Sequence, residues 1–249
     1  MYQFFIEDEN AAEDFVTIEG SDVNHIKNVL RMRPGEKIRV CTRSGQNYFC
    51  SISDITESFV RADILEKEAE STELPCRIYL FQGLPKNDKM EWIIQKTVEL
   101  GVYEVIPVAM KNCVVKLDDK KAKSKVMRWQ AIAESAAKQS KRSLIPEVKM
   151  PMSYKEAVAY AKELDVKLVP YENEHGMAGT KAAMEQIKKG ESIAVFIGPE
   201  GGFAPEEIAL VQDEMQLISL GKRILRTETA GIAALAILGY QLESSDMIE

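Results

Sequence analysis

The chain is 249 residues long, 45% hydrophobic and 29% charged, which excludes disordered and fibrous architectures and leaves room for one large or two small globular domains. Its longest apolar stretch, residues 230–240, is too short to cross a bilayer. The acidic opening (Glu7, Asp8, Glu9, Glu13, Asp14) lacks the basic flank and apolar run of a signal peptide, so a cytosolic protein is expected, and its net charge is −7.

From the amino terminus, short β-like runs cover 2–6 and 15–18. A helix is expected over 22–32, capped by Asp22, with Val23, Ile26, Val29 and Leu30 on one face. Pro34-Gly35 makes a turn, and strands rich in β-branched and aromatic residues follow at 37–41, 48–53 and 59–65. Several short strands around one helix suggest a small barrel. Residues 66–75 (EKEAESTELP) are charged and apolar-poor and read as a linker.

Past Cys76 the pattern alternates strand and helix. Strands are expected at 77–82, 104–109, 167–171, 192–197 and 216–220, and helices at 88–100, 122–141, 153–164, 180–189, 205–215 and 229–243. Gly101 suits the position just past a helix end, and Pro205 the first turn of the next. This order implies a mostly parallel sheet covered by helices on both faces. The expected organisation is a small β domain over 1–70 followed by an α/β domain over 76–249.

Four cysteines (Cys41, Cys50, Cys76, Cys113) stand far apart without a C-x-x-C pair, which suits reduced thiols. With only His25 and His175 available, no metal centre is expected. Basic residues are segregated despite the acidic total: six against two acids over 21–46, and eleven against four over 111–149. Such windows read either as solvated faces or as local attractors of a polyanion. Trp92 and Trp129 fall within helical apolar patterns and are expected in the core.

Ligands of open α/β sheets bind beyond the carboxyl ends of the strands. Three loops sit there. Gly198-Pro199-Glu200-Gly201-Gly202 lets backbone approach a ligand closely, but it is neither a Walker A loop nor a G-x-G-x-x-G fingerprint, so a plain turn competes with a cofactor loop. Residues 220–230 (LGKRILRTETA) carry four charges at a strand-to-helix corner, where capping by Thr227 or Thr229 is the simpler reading. Residues 168–174 (LVPYENE) end the neighbouring apolar strand.

GPEGG and LGKRILRTETA, in this order and spacing, resemble the SPOUT class of RNA methyltransferases and, more narrowly, the RsmE family. The likeness spans nearly the whole chain. Residues 25–32 (HIKNVLRM) match the family's H-x-x-x-V-L-R segment, and 95–102 (QKTVELGV) its K-x-x-E-L-G-V segment. Arg128-Trp129 with Glu134, Gln139 and Arg142 match its R-W-x(4)-E-A-x-x-Q-x-x-R helix. Two departures stand out. Gln3 and Asn112-Cys113 occupy places where the family often has an arginine and an arginine-serine pair, and nearby Lys111 and Lys116 offer compensation.

The resemblance implies a PUA-like β-barrel followed by a SPOUT-type parallel sheet, helices on both faces, closed by a trefoil knot that ordinary topology rules disfavour. It also implies a homodimer through the knotted domain, to which helices 88–100 and 229–243 would lend apolar faces. The implied reaction is S-adenosylmethionine-dependent methylation of N3 of a uridine in 16S ribosomal RNA of the small subunit. Cofactor contacts are expected from Pro170, Glu172, Ile197, Gly198, Pro199, Gly201, Gly202, Leu220, Gly221, Ile224, Leu225, Thr229 and Ala230. Because uridine N3 carries a proton at neutral pH, a charge stabiliser and a base are needed: Arg226 for the first, Glu200 or Glu228 for the second. Either acid can instead cap a helix or pair with Arg223 or Arg226. His25, Arg31, Arg33, Lys138, Lys141 and Arg142 are the expected RNA contacts that offset base flipping, with His25 open also to a packing role. Two rival classes remain. A non-catalytic RNA-binding assembly factor needs the basic windows but not the two loops, and a Rossmann-type enzyme needs an acidic ribose contact that is not found.

Overall fold

Alternate residues of the first strands are apolar, and alternation places them on one side of a sheet. Phe4 and Ile6, Val16 and Ile18, Ile38 and Val40, Cys50 and Ile52, and Val60 and Ala62 together form the amino-terminal core. In the structure, a computed structural model that describes residues 1–68, 71–174 and 176–244, these pairs lie on β1 (Tyr2–Ile6), β2 (Phe15–Glu19), β3 (Lys37–Thr42), β4 (Asn47–Ile55) and β5 (Phe59–Glu68). The sheet order is β1-β3-β4-β5-β2, with β1 parallel to β3 and the other pairs antiparallel.

The expected 22–32 helix is replaced by α1 (Ser21–Asn24), with Gly20 rather than Asp22 at its N-cap, and a π-turn over His25–Val29. Leu30 N–H donates to the His25 carbonyl at 2.8 Å, and Met32 N–H to that of Ile26 at 3.0 Å. The wider turn breaks the 3.6-residue period. Val23 and Ile26 stay buried while Val29 is 62% exposed. Arg31 then adopts a left-handed φ of 53°.

This unit comprises Met1–Glu73 together with Ala137–Ile145, so a stretch expected in the second domain belongs to the first. Side-chain hydrogen bonds hold it there. Gln3 Nε2 donates to the Arg142 carbonyl at 2.6 Å, Asn47 Nδ2 to Ser143 Oγ at 2.7 Å, and Ser143 N–H to Glu73 Oε1 at 2.8 Å. The expected linker is accordingly structured at both ends: Glu66 to Glu68 complete β5, and Glu73 pairs with Arg142. Ala69 and Glu70 lie outside the described residues.

The second unit is Leu74–Ala136 with Pro146–Glu249. Its strands are β6 (Arg77–Gly83), β7 (Val102–Ala109), β8 (Glu147–Val148), β9 (Met152–Ser153), β10 (Val166–Pro170), β11 (Ser192–Ile197) and β12 (Gln216–Ile218). The order is β12-β10-β11-β6-β7-β8, with β9 also on β7, and every pairing is parallel. β8 and β9, of two residues each, are too short to leave a periodic signal. The helices are α2 (Lys89–Glu99), α3 (Asp119–Ser140), α4 (Tyr154–Ala161), α5 (Ala178–Glu185), α6 (Pro205–Val211) and α7 (Thr227–Ser244).

Period-two alternation divides the sheet's faces. Tyr79, Phe81, Ile106, Val108, Ala194 and Phe196 pack with Tyr154, Ala157 and Val158 of α4 and Ile208 and Val211 of α6. Phe81 stacks on Phe196 at 4.3 Å between ring centroids. The other face, carrying Leu80, Gln82 and Ile197, meets α7 at Gly231. Gly101 follows α2 with φ 91°, as a C′ glycine should. Ser153 and Glu156 form a reciprocal capping box on α4. Trp129 is buried as expected, whereas Trp92 is 53% exposed, on a face of α2 turned from the sheet.

Candidate active site

The carboxyl ends of β10, β11 and β12 open onto a cavity of about 590 Å³. All three loops singled out in the sequence converge on it. β10 contributes Pro170 and Glu172; β11 contributes Ile197, Gly198, Pro199, Glu200 and Gly202. The stretch after β12 contributes Leu220, Gly221, Ile224, Leu225, Arg226 and, from α7, Ala230. Gly201 and Thr229 do not line it. A Cβ on Gly201 would lie 2.9 Å from that of Asn112, so this glycine faces the loop after β7, and Thr229 is exposed in the first turn of α7.

Glycine is needed in this loop for close approach. A Cβ on Gly198 would stand 3.3 Å from the Gly202 carbonyl carbon and the Phe203 ring. Gly202, at φ 67°, would set one 3.3 Å from Glu172 Oε1. Beneath the loop, Gly83 at the end of β6 has Pro199 N only 2.7 Å from where its Cβ would be. Asn112 Nδ2 donates to the carbonyls of Gly201 and Gly202 at 3.0 and 3.2 Å. Buried Glu207 ties the same region down, accepting from Lys111 N–H and Ala204 N–H at 2.8 Å each.

The charges arrange themselves around Lys89, a cavity-lining residue that no sequence motif marks. Its Nζ lies 2.9 Å from Glu200 Oε1 and 3.3 Å from Glu228 Oε2. The Glu200 hydrogen bond raises the ammonium's pKa, against the opposing effect of burial, and Glu228 adds to the rise. Burial pushes the Glu200 carboxyl up, but Lys89 and the Lys86 N–H at 3.0 Å pull it down further, leaving it below the usual 4.5. Neither acid pairs with Arg223 or Arg226 among the described residues, and Glu228 does not line the cavity. Arg226 is exposed on the cavity wall with no acidic partner among the described residues. Its carbonyl accepts the first α-helical bond of α7, from Ala230 N–H at 2.8 Å. Thr227 does not cap: its hydroxyl donates to the Gly198 carbonyl at 2.6 Å.

The expected RNA contacts divide. His25, Arg31 and Arg33 are exposed. Lys138 is held by both Asp22 oxygens at 3.0 Å, and Lys141 Nζ donates to the Met1 carbonyl at 2.7 Å. Arg142 is 4% exposed and ion-paired with Glu73, so its guanidinium is not available to a phosphate.

Residues 72–239 match the RNA methyltransferase domain family, and residues 18–65 the RNA methyltransferase PUA domain family. Ribosomal RNA small subunit methyltransferase E of Bacillus subtilis is 39% identical, with 98% of each chain covered. The same-named protein of Mesomycoplasma hyopneumoniae is 35% identical over 93% of this chain and 96% of its own. The chain belongs to the ribosomal RNA small subunit methyltransferase E family. A solved family member from Neisseria gonorrhoeae, bound to S-adenosyl methionine, superposes with a TM-score of 0.83 at 32% identity, covering 96% of each chain. The second unit accordingly has the SPOUT methyltransferase fold and the first is PUA-like.

The cavity suits the family's cofactor. Its volume falls in the range of small-molecule sites, about 300–1,000 Å³. Ile197, Leu220 and Leu225 give it apolar wall, and the glycines leave backbone exposed to a ligand. Glu172, exposed beside Gly202, offers a carboxylate to a cation or a hydroxyl group.

Proposed function

We propose that the protein transfers a methyl group from S-adenosylmethionine to N3 of a uridine in 16S ribosomal RNA of the small subunit. One observation carries this reading: the Gly198 and Leu220 loops close around one cavity, and Arg226 stands on its wall with no acid among the described residues to neutralise it. When bound, S-adenosylmethionine supplies an electrophilic methyl group on a sulfonium. N3 gives up its proton as it takes up that methyl, and before the new N–C bond is complete negative charge develops on the ring nitrogen and is shared with its two flanking oxygens. Arg226 is placed to donate charge-assisted hydrogen bonds to those oxygens. Of the two candidate acids, Glu200 is the one that reaches the cavity. Its lowered pKa makes it a weak base, effective only once Arg226 has acidified N3. Glu228 is assigned to holding Lys89.

His25, Arg31 and Arg33 of the PUA-like unit are assigned to RNA, with phosphate neutralisation supplying most of the affinity. We assign the α/β unit a trefoil knot. Consistent with it is the close seating of α7 over β6 and β11, where a Cβ on Gly231 would stand 3.3 Å from Gln82 Oε1. A homodimer through this unit is proposed on exposed Trp92 of α2 and Tyr240 of α7, the latter 74% exposed. Cytosolic residence accords with four free thiols and with no described helix long and apolar enough to cross a membrane.

The test is position-resolved. Small-subunit RNA from a strain lacking the gene is incubated with purified protein and labelled S-adenosylmethionine, then mapped for modified nucleotides. A single 3-methyluridine restored by the protein supports the reading. Label on another nucleotide, or none, overturns it.

A further inference from the structure

Strand β6 ends in an amide that its surroundings do not favour. Gln82 is 0% exposed, follows the apolar run Ile78 to Phe81, and faces α7. Its Nε2 donates to Thr227 Oγ1 at 2.9 Å and to the Gly83 carbonyl at 3.1 Å. Thr227 Oγ1 in turn donates to the Gly198 carbonyl at 2.6 Å. Gln82 Oε1 has no hydrogen-bond partner among the described residues, and a Cβ on Gly231 would stand 3.3 Å from it. Burying an amide with an unsatisfied acceptor destabilises a fold relative to an apolar residue of similar size. Its position is therefore better explained by geometry than by stability.

We infer that Gln82 is a positioning residue for methyl transfer, acting through Thr227 to fix the start of α7 against the Gly198 loop. Two sides of the cavity meet at this relay. Thr227 directly follows Arg226, and Gly198 opens the glycine loop. A slip of α7 past β6 displaces the Arg226 guanidinium from the cofactor loop while leaving the core intact. Gln82 does not line the cavity, and Thr227, which does, already donates its hydroxyl to the Gly198 carbonyl, so the relay sets distance and angle and performs no chemistry. The inference rests on the proposed reading of the cavity.

The experiment uses the full chain as Gln82→Leu, Thr227→Val, Thr227→Ser and the Gln82→Leu/Thr227→Val double variant. Three quantities are measured: melting temperature, calorimetric affinity for S-adenosylmethionine, and single-turnover methylation at saturating RNA and cofactor. Gln82→Leu and Thr227→Val should each slow the saturated rate by about 10- to 100-fold, the scale of a misplaced reacting group. The Gln82→Leu melting temperature should hold or rise, because an unsatisfied acceptor is removed. Thr227→Ser, which keeps the hydroxyl, should stay close to wild type. The double variant should be no slower than its slower parent, since both changes break one network. Wild-type rates in folded Gln82→Leu and Thr227→Val overturn the inference, as do a serine variant as slow as valine or additive losses in the double variant. Failure of both single variants to fold assigns the relay to stability alone and also overturns it. If the wild-type protein binds cofactor but methylates no uridine, the functional reading fails instead. The affinities then decide the relay, which requires both variants to bind cofactor several-fold more weakly.

Discussion

At the scale of single residues, the environment separates two arginines that look alike in the sequence. Arg226 is exposed on the cavity wall without an acid among the described residues, whereas Arg142 is buried against Glu73. Arg226→Ala should lower the saturated single-turnover rate by roughly 10²–10³, the usual loss of one preorganised donor. Lysine should rescue only in part, because it keeps charge and loses the planar fork. A rate near wild type with weakened cofactor binding would make Arg226 structural. Arg142→Ala should instead destabilise the PUA-like unit by about 1–3 kcal/mol, because partly buried Glu73 keeps the Ser143 N–H but loses its cation. Denaturant melts check this, and an unchanged midpoint with weakened RNA binding would restore Arg142 to the RNA-binding set. Glu200 sets a pH signature. Its carboxyl lies below the usual 4.5, so the stability from its pairing is complete above that pH and is lost as pH falls through the lowered value. Glu200→Gln should flatten the acid limb of a stability–pH curve, and an identical limb would show that the pairing contributes nothing.

Between elements, close backbone approach decides what is tolerated. Gly83→Ala would drive a methyl group into the Gly198-Pro199 backbone, where the gap is 2.7 Å. Cofactor affinity should fall by about 5- to 150-fold, corresponding to the roughly 1–3 kcal/mol of an overpacked site. Calorimetry showing wild-type affinity in a folded Gly83→Ala protein would mean that the loop yields freely. The same logic removes Gly201 as a probe of cofactor space, since its missing side chain points at Asn112. On the PUA-like unit, the π-turn over His25–Val29 and the left-handed Arg31 present exposed cations that an ordinary helix would have placed elsewhere. Arg31→Ala with Arg33→Ala should reduce the slope of log affinity against log salt by about one unit for each phosphate no longer neutralised. Cofactor affinity should not change. Equal weakening of cofactor binding would contradict the division of labour between the two units.

For the whole molecule, the sequence alone reached the α/β class, the order of the longer strands and helices, and the three loops that wall the cavity. β11 matches the expected 192–197 because its run of five apolar residues, Ile193 to Ile197, bounded by glycine on one side and Glu191-Ser192 on the other, has few alternatives. The glycine loop and the arginine-bearing loop were legible as a pair because both follow strands of one parallel sheet, and such loops must share an edge. What the chain could not disclose locally was partnership. Glu200 and Glu228 read as potential bases or as partners of Arg226. Only the fold brings Lys89 from α2 between them and so draws both acids away from Arg226.

Periodicity and residue type determine which segments become strands, which face each buries, and where glycine must let backbone pass, because these depend on neighbours a few residues away. The π-turn, the recruitment of Ala137–Ile145 to the amino-terminal unit, and the chain from Gln82 through Thr227 to Gly198 were decided by tertiary structure. The last two join groups whose match lies in distance and hydrogen-bond direction across as many as 145 positions of sequence, and no local pattern encodes that.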